Sequence, residues 1–149
     1  MIYRMWAALL SLVGLFVSAY LYLYKIGRIG TLACGSGGCE TVQLSPWSRV
    51  LGVEVSLVGV VGYAVLLVVA LVALQSAEGR PGPMRLFTAL AAGGVLFTVY
   101  LTSLELFVIH AVCRWCVGSA VIIVSLLIVA LLERRHAAAA TLMRDTGSA

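Results

Sequence analysis

The chain has 149 residues, 62% of them hydrophobic and 11% charged, with a mean hydropathy of +1.10 and a formal net charge of +4. A soluble domain of this size would carry more charge and less apolar side chain, and so small a basic excess is not a nucleic-acid signature. The length suits one domain, and the composition makes it an integral membrane domain.

A hydrocarbon core about 30 Å thick needs roughly 20 helical residues. Four apolar runs meet that length, at 5–24, 55–74, 86–110 and 112–132. Lipid offers the backbone no hydrogen-bond partners, so each run is predicted to be a helix. The fold class is therefore all-α, a four-transmembrane-helix bundle filling residues 1–149 as a single domain. The first run is bracketed by Tyr3 and Trp6 at its start and Tyr20, Tyr22 and Tyr24 at its end, an interfacial belt. Arg4 ahead of an apolar run suggests a signal peptide, but the run is too long and no small-residue cleavage motif follows. Lys25 and Arg28 break the approach to Thr31-Leu32-Ala33-Cys34, so lipoprotein cleavage is not expected either.

The only sizeable polar loop is 25–54. It carries Cys34 and Cys39 around a glycine-rich tip. Ser45 as N-cap, Pro46 at the first helical position and Gly52 after the last turn predict a short half-helix over 45–52. With Trp47, Val50 and Leu51 on it, this half-helix is expected to lie in the interface as a lid. Gly59 and Gly62 in the second run, and Ala91, Ala92, Gly93 and Gly94 in the third, read as close helix contacts. Gly79, Pro81, Gly82 and Pro83 mark a connector. Thr98, Thr102 and Glu105 fall on one face, at i, i+4 and i+7, and are expected to point inward. An ionisable residue in a span is a functional candidate by default, so Glu105, or His110 beyond it, could relay protons. The alternatives for Glu105 are a protonated acid making a core hydrogen bond and a group pairing with a loop arginine. The tail 133–149 is expected to extend the last helix briefly and then fray.

Four spans put both termini and the 74–86 connection on one side. That side carries Arg4, Arg80, Arg85, Arg134, Arg135 and Arg144, and the other Lys25, Arg28, Arg49 and Arg114. Six against four favours cytoplasmic termini. Both cysteine pairs then lie on the extracytoplasmic side, where disulfides persist.

Cys113 and Cys116 stand i, i+3 where the fourth helix opens, a spacing that permits a disulfide. A helix N-terminus stabilises thiolate, and Arg114 adds positive charge. The pair therefore reads as redox-active, with a structural disulfide or a zinc site shared with Cys34 and Cys39 as alternatives. Zinc is disfavoured because exposed thiols on that side oxidise, and no metal is expected. Three glycines between Cys34 and Cys39 suit a pair that swings between two partners, a static staple being the alternative. Exchange through a mixed disulfide would make the two pairs a relay.

Two loop cysteines, then Ser45-Pro46-Trp47, then Tyr100-Leu101-Thr102-Ser103-Leu104-Glu105 leading into Cys113-Arg114-Trp115-Cys116: this order resembles the vitamin K epoxide reductase family, above all its bacterial members. The DsbB-type proteins carry the two kinds of pair in the reverse order. The resemblance implies a quinone-dependent thiol–disulfide oxidoreductase of the bacterial plasma membrane. It would act as a monomer and support disulfide bond formation by reoxidising a separate DsbA-like thioredoxin-fold partner, since no thioredoxin-like domain is fused here. It also implies that Cys116 faces the quinone (menaquinone or ubiquinone), that Cys113 accepts attack from Cys39, and that Cys34 is exposed to the partner. Ser45 would sit near the quinone ring, and Trp47 and Trp115 would line its pocket or else anchor at the interface. DsbA-like partners are strong oxidants at about −120 mV, so the acceptor must be more oxidising still. Ala120 stands where vertebrate members carry tyrosine, which argues against epoxide reduction. Reduction of vitamin K epoxide is the alternative within the class, and a non-enzymatic assembly factor with structural disulfides the alternative outside it.

Overall fold

The computed structural model describes residues 1–32, 34, 38–50, 52–76 and 82–146. Four long helices form an all-α membrane bundle: α1 (Ile2–Lys25), α3 (Val55–Gln75), α4 (Gly82–Leu104) and α5 (Arg114–Thr146). All four are long and apolar enough to cross a membrane. Between α1 and α3 lie a two-turn helix α2 (Gly38–Leu44), a 3₁₀ turn Pro46–Ser48, and a small antiparallel hairpin of β1 (Arg49–Val50) and β2 (Val53–Glu54).

The bundle interior follows from spacings of three and four. On α1 the buried positions are Ala7, Ser11, Gly14, Ser18 and Leu21. On α3 they are Ser56, Tyr63, Leu66, Ala70 and Ala73. A stripe with this period faces one partner along the whole helix. Small residues let the backbones approach in lipid, where no hydrophobic drive separates protein from solvent. The fit is close: a Cβ added at Gly14 would meet the Tyr63 ring, and one at Gly59 would lie 2.8 Å from Ser18 Oγ. Glycines 59 and 94 thus serve helix contact as the sequence suggests, the latter against Ile123 of α5. Glycines 62 and 93 do not, because nothing stands within 4 Å of a Cβ there.

Charges close both ends of the α1 stripe. At the termini end, Arg4 Nε meets Glu133 Oε1 at 2.6 Å, and Arg4 Nη1 donates to the carbonyls of Ala73 (2.6 Å) and Ser76 (3.4 Å). A cation on the last carbonyls of α3 satisfies groups that lipid cannot. At the cysteine end, Lys25 Nζ donates to the Gln43 carbonyl and to Ser48 Oγ (2.7 Å), and pairs with Glu54 Oε2 at 3.2 Å. Arg49 Nε holds Glu54 Oε1 at 2.6 Å across the hairpin. Burial pushes the Glu54 carboxyl up, but the hydrogen bonds and charges of Arg49 and Lys25 outweigh it and hold it below the usual range. This clamp is therefore intact at neutral pH and released as pH falls through that lowered value.

Three expectations change. The short helix of the loop lies at Gly38–Leu44, not over 45–52. Ser45 makes no N-cap bond there; its hydroxyl donates back to the Val42 carbonyl at 2.8 Å, closing the end of α2. Only one 3₁₀ turn follows, because Gly52 takes φ +82° and folds the chain into the hairpin. Second, Gly82 and Pro83 belong to the first turn of α4, where proline costs no hydrogen bond, and the rest of the expected connector falls at 77–81, outside the described residues. Third, α5 does not fray near 133. It continues to Thr146, carried by an alanine run of high helix propensity and by His136, which stacks on Tyr3 at 5.3 Å between centroids and shares a 3.0 Å hydrogen bond with it.

Gly14→Ala is expected to lower the melting temperature in detergent by about 2–12 °C, from an overpacking cost of about 1–3 kcal/mol at about 2–4 °C per kcal/mol. Gly62→Ala, with open space at its Cβ, should leave it within about 2 °C. Equal shifts in the two variants would contradict the packing described.

Candidate redox site

Helix α4 does not run straight into α5. Its last turn widens into a π-helical turn, Glu105–Ile109, and His110 ends it in the left-handed region at φ 57°, ψ 30°. The Glu105 carbonyl takes the N–H of His110 and that of Ala111 (3.2 Å). Helix α5 then starts at Arg114, two residues later than the apolar run begins. Cys113 is its N-cap: its carbonyl accepts the first helical bond, from Val117 N–H at 3.0 Å, and its sulfur accepts Cys116 N–H at 3.4 Å. A polar side chain in that position satisfies an N–H that would otherwise be orphaned. Cys113 N–H donates to Glu105 Oε2 at 3.2 Å.

The four cysteines gather at this end. Cys34 and Cys39 are joined as a disulfide with Cα atoms 6.1 Å apart, while Cys113 and Cys116 are free thiols. Cys34, Cys39 and Cys113 share one buried cluster with Leu21, Leu32 and Val42, and Cys116 packs against it. Helix α2 sits directly on the start of α5, since a Cβ at Gly38 would lie 2.6 Å from the Val112 carbonyl oxygen. Cys34 is 3% exposed, so it is not open to a partner protein here as the sequence suggests. Reaching it requires the loop to open. The glycine-rich tip falls on residues 35–37, outside the described residues.

Below Cys116 lies a cavity of about 380 Å³, walled by all four long helices and by Gln43 of α2. It opens sideways between α3 and α4, where its rim residues Val58, Val65 and Leu90 are exposed on the outer face of the bundle. Gly62 and Gly93 give it width. Its polar groups are few: Cys116, Glu105, Gln43 and Ser56 near the cysteine end, then Ser18, Thr98 and Thr102, and Tyr63, whose hydroxyl meets Ser119 at 2.9 Å. Thr98, Thr102 and Glu105 all border the cavity, but only Glu105 is buried, and Thr102 is exposed rather than turned into the bundle as its spacing suggests. The Ser56 hydroxyl is buried with no partner among the described residues.

The remaining candidates divide. Ser45 and Trp47 line a separate small pocket of about 40 Å³, which Gln43, Glu105 and Cys116 also border, rather than the main cavity. Trp115 borders neither. It tilts against Tyr20 at 5.1 Å and packs on the cysteine cluster, because one residue before Cys116 on a helix faces another way. His110 is exposed and borders neither pocket, so a relay through it has no geometric support. Gln43, Ser56 and the Tyr63–Ser119 pair went unread in the sequence. Polar residues at the bundle-facing stripe positions of α3 and α5 were the available signal.

A hydrogen bond from the Cys116 thiol holds the Cys113 thiol below its ordinary value. Burial and the Glu105 carboxyl oppose this, and the amides of Cys116 and Trp115 add to it. The pKa is lowered on folding, so its stabilisation is full above the free-cysteine value of about 8.5 and is lost as pH falls through the folded value. Ultraviolet thiolate absorbance of the form with Cys34–Cys39 oxidised should therefore show a step with a midpoint below about 8.5, absent in Cys113→Ala. A first midpoint at or above that value contradicts the assignment.

The arrangement is a dithiol between a buried disulfide and a cavity reachable from lipid. The chain matches the vitamin K epoxide reductase family over residues 5–131, nearly the whole bundle from α1 into α5. It belongs to the vitamin K epoxide reductase family, a family of membrane oxidoreductases.

Proposed function

We propose that the protein is a quinone-dependent thiol–disulfide oxidoreductase that reoxidises a DsbA-like thioredoxin-fold partner. The observation that carries this reading is the position of Cys116, on the wall of the cavity and against the cysteine cluster at once. The cavity suits a flat, lipid-soluble carrier: its walls are largely apolar, its polar groups gather near one sulfur, and its rim faces lipid. When bound, the quinone accepts two electrons and two protons.

Electrons would pass from the partner's thiols to Cys34–Cys39, then to Cys113–Cys116, then to the quinone. Each transfer between pairs proceeds through a mixed disulfide. Cys113 has the start of α5 to stabilise its thiolate, and Cys39 shares its buried cluster, so Cys39–Cys113 is the expected junction. Glu105 borders the cavity beside Cys116 and holds Cys113 N–H, which suits it to hold and pass a proton between thiol and cavity. Gln43, Ser56 and Cys116 would face the head group, while Gly62 and Gly93 leave room for a tail. The arginine balance supports cytoplasmic termini and extracytoplasmic cysteines in a bacterial plasma membrane. An impermeant thiol reagent applied to intact cells after reduction should then label Cys34 or Cys39.

Purified protein should oxidise a reduced thioredoxin-fold partner when quinone is added. Cys116→Ala should abolish this and accumulate a Cys39–Cys113 disulfide. Glu105→Gln should keep the fold and slow the reaction by about tenfold or more, as removal of a positioned acid–base group does. Undiminished turnover in Cys116→Ala would sink the relay, and a trapped Cys34–Cys113 bond would reverse the roles of the loop cysteines.

A further inference from the structure

Helix α2 has two functions within two turns. Cys39 and Gln43 stand at i, i+4 and therefore share a face, and both are buried, at 0% and 7% exposure. Cys39 lies in the cluster with Cys113. Gln43 reaches further, its Nε2 donating to Cys116 Sγ at 4.0 Å, and its side chain borders both pockets. The helix is fixed from two sides. Gly38 is pressed on the Val112 carbonyl, and the Gln43 carbonyl is held by Lys25 of α1.

We propose that Gln43 is a positioning residue that makes the reactivity of Cys116 depend on the docking of α2. Its amide reaches the Cys116 sulfur only while the same helix holds Cys39 in the cluster beside Cys113. Opening the loop toward a partner withdraws the donor together with the disulfide. The conditioned step is oxidation of the Cys113/Cys116 dithiol to a disulfide, with two electrons and two protons leaving for the quinone. An amide N–H favours the Cys116 thiolate over the thiol, so docking primes the sulfur that faces the cavity. The titratable groups facing that sulfur are Cys113 at the start of its own helix and Glu105 on α4. Helix α1 acts on it through Lys25, bonded to the Gln43 carbonyl, and α3 contributes only the uncharged Val55 and Ser56 to that end of the cavity among the described residues. The link to quinone rests on the function proposed above, but the contact itself does not.

The test is the pH profile of Cys116 alkylation by N-ethylmaleimide, read by peptide mass spectrometry on the full chain in detergent with Cys34–Cys39 oxidised. No quinone or partner is needed, so a wild type inert toward quinone would overturn the function while leaving this assay readable. Gln43→Met keeps the length and removes the donor. Its midpoint should rise, with alkylation at neutral pH roughly three- to tenfold slower, the worth of one hydrogen bond. Gln43→Glu keeps the shape and adds charge, so its midpoint should rise further. Lys25→Met, which frees α2 from α1, should shift the profile in the same direction as Gln43→Met. Profiles that coincide with wild type, a glutamate no different from methionine, or an unmoved Lys25→Met overturn the proposal. Should Gln43→Met fail to accumulate in the membrane, Gln43→Glu decides against wild type: a raised midpoint supports the proposal and a coincident profile overturns it.

Discussion

The reversal between α4 and α5 is the constraint on which the site depends. Only four residues, 110–113, join two long membrane helices, and the backbone groups buried there beside Cys113 need partners within the protein. The Glu105 carbonyl takes two N–H groups, its carboxylate takes the Cys113 N–H, and the Cys113 sulfur takes the Cys116 N–H. The groups that could carry the chemistry are thus the ones that let the chain turn. A free thiol and a buried carboxyl are held where they are by the backbone groups they partner.

The rest of the bundle delivers partners to that turn. The α1–α3 contact is close along its small-residue stripe and is tied at the termini end by Arg4. Between α3 and α4, Gly62 and Gly93 line the cavity and face no neighbour, so the space that side chains would fill there stays open. The α5 stripe reads Cys116, Ser119, Ile123, Leu126, Ala130, Glu133: a thiol at one end, apolar in the middle, ion-paired at the other. One periodicity therefore serves packing and chemistry, with residue type deciding which. The Lys25–Glu54–Arg49 clamp then fixes the loop that carries the disulfide above this opening.

Much of this was legible in the sequence because membrane folding is governed by length and apolarity. Four spans and their approximate limits follow from the apolar runs, and the common cavity-lining face of Thr98, Thr102 and Glu105 follows from spacing. What failed was local. Ser45-Pro46 has the signature of a helix start, yet the helix lies ahead of it at Gly38–Leu44, where a glycine-rich approach gave no cue. The glycines of α3 and α4 carry no mark that separates contact from vacancy; only the neighbour facing each one does. Of the two places open to Trp115, the cavity wall is excluded by the turn of about 100° that separates it from Cys116. Gln43 could not be found, since its relation to Cys116 spans 73 positions.

The central claim is that two cysteine pairs empty in series into one lipid-soluble acceptor. The most direct measurement is the stoichiometry of quinone reduced per chain when fully reduced protein meets excess quinone without any partner. The account predicts two quinols per wild-type chain, both disulfides formed, and one quinol when Cys34 and Cys39 are both replaced by alanine. One quinol from wild type would remove the loop pair from the path. Quinol formation that persists with Cys113 and Cys116 replaced would contradict the account outright.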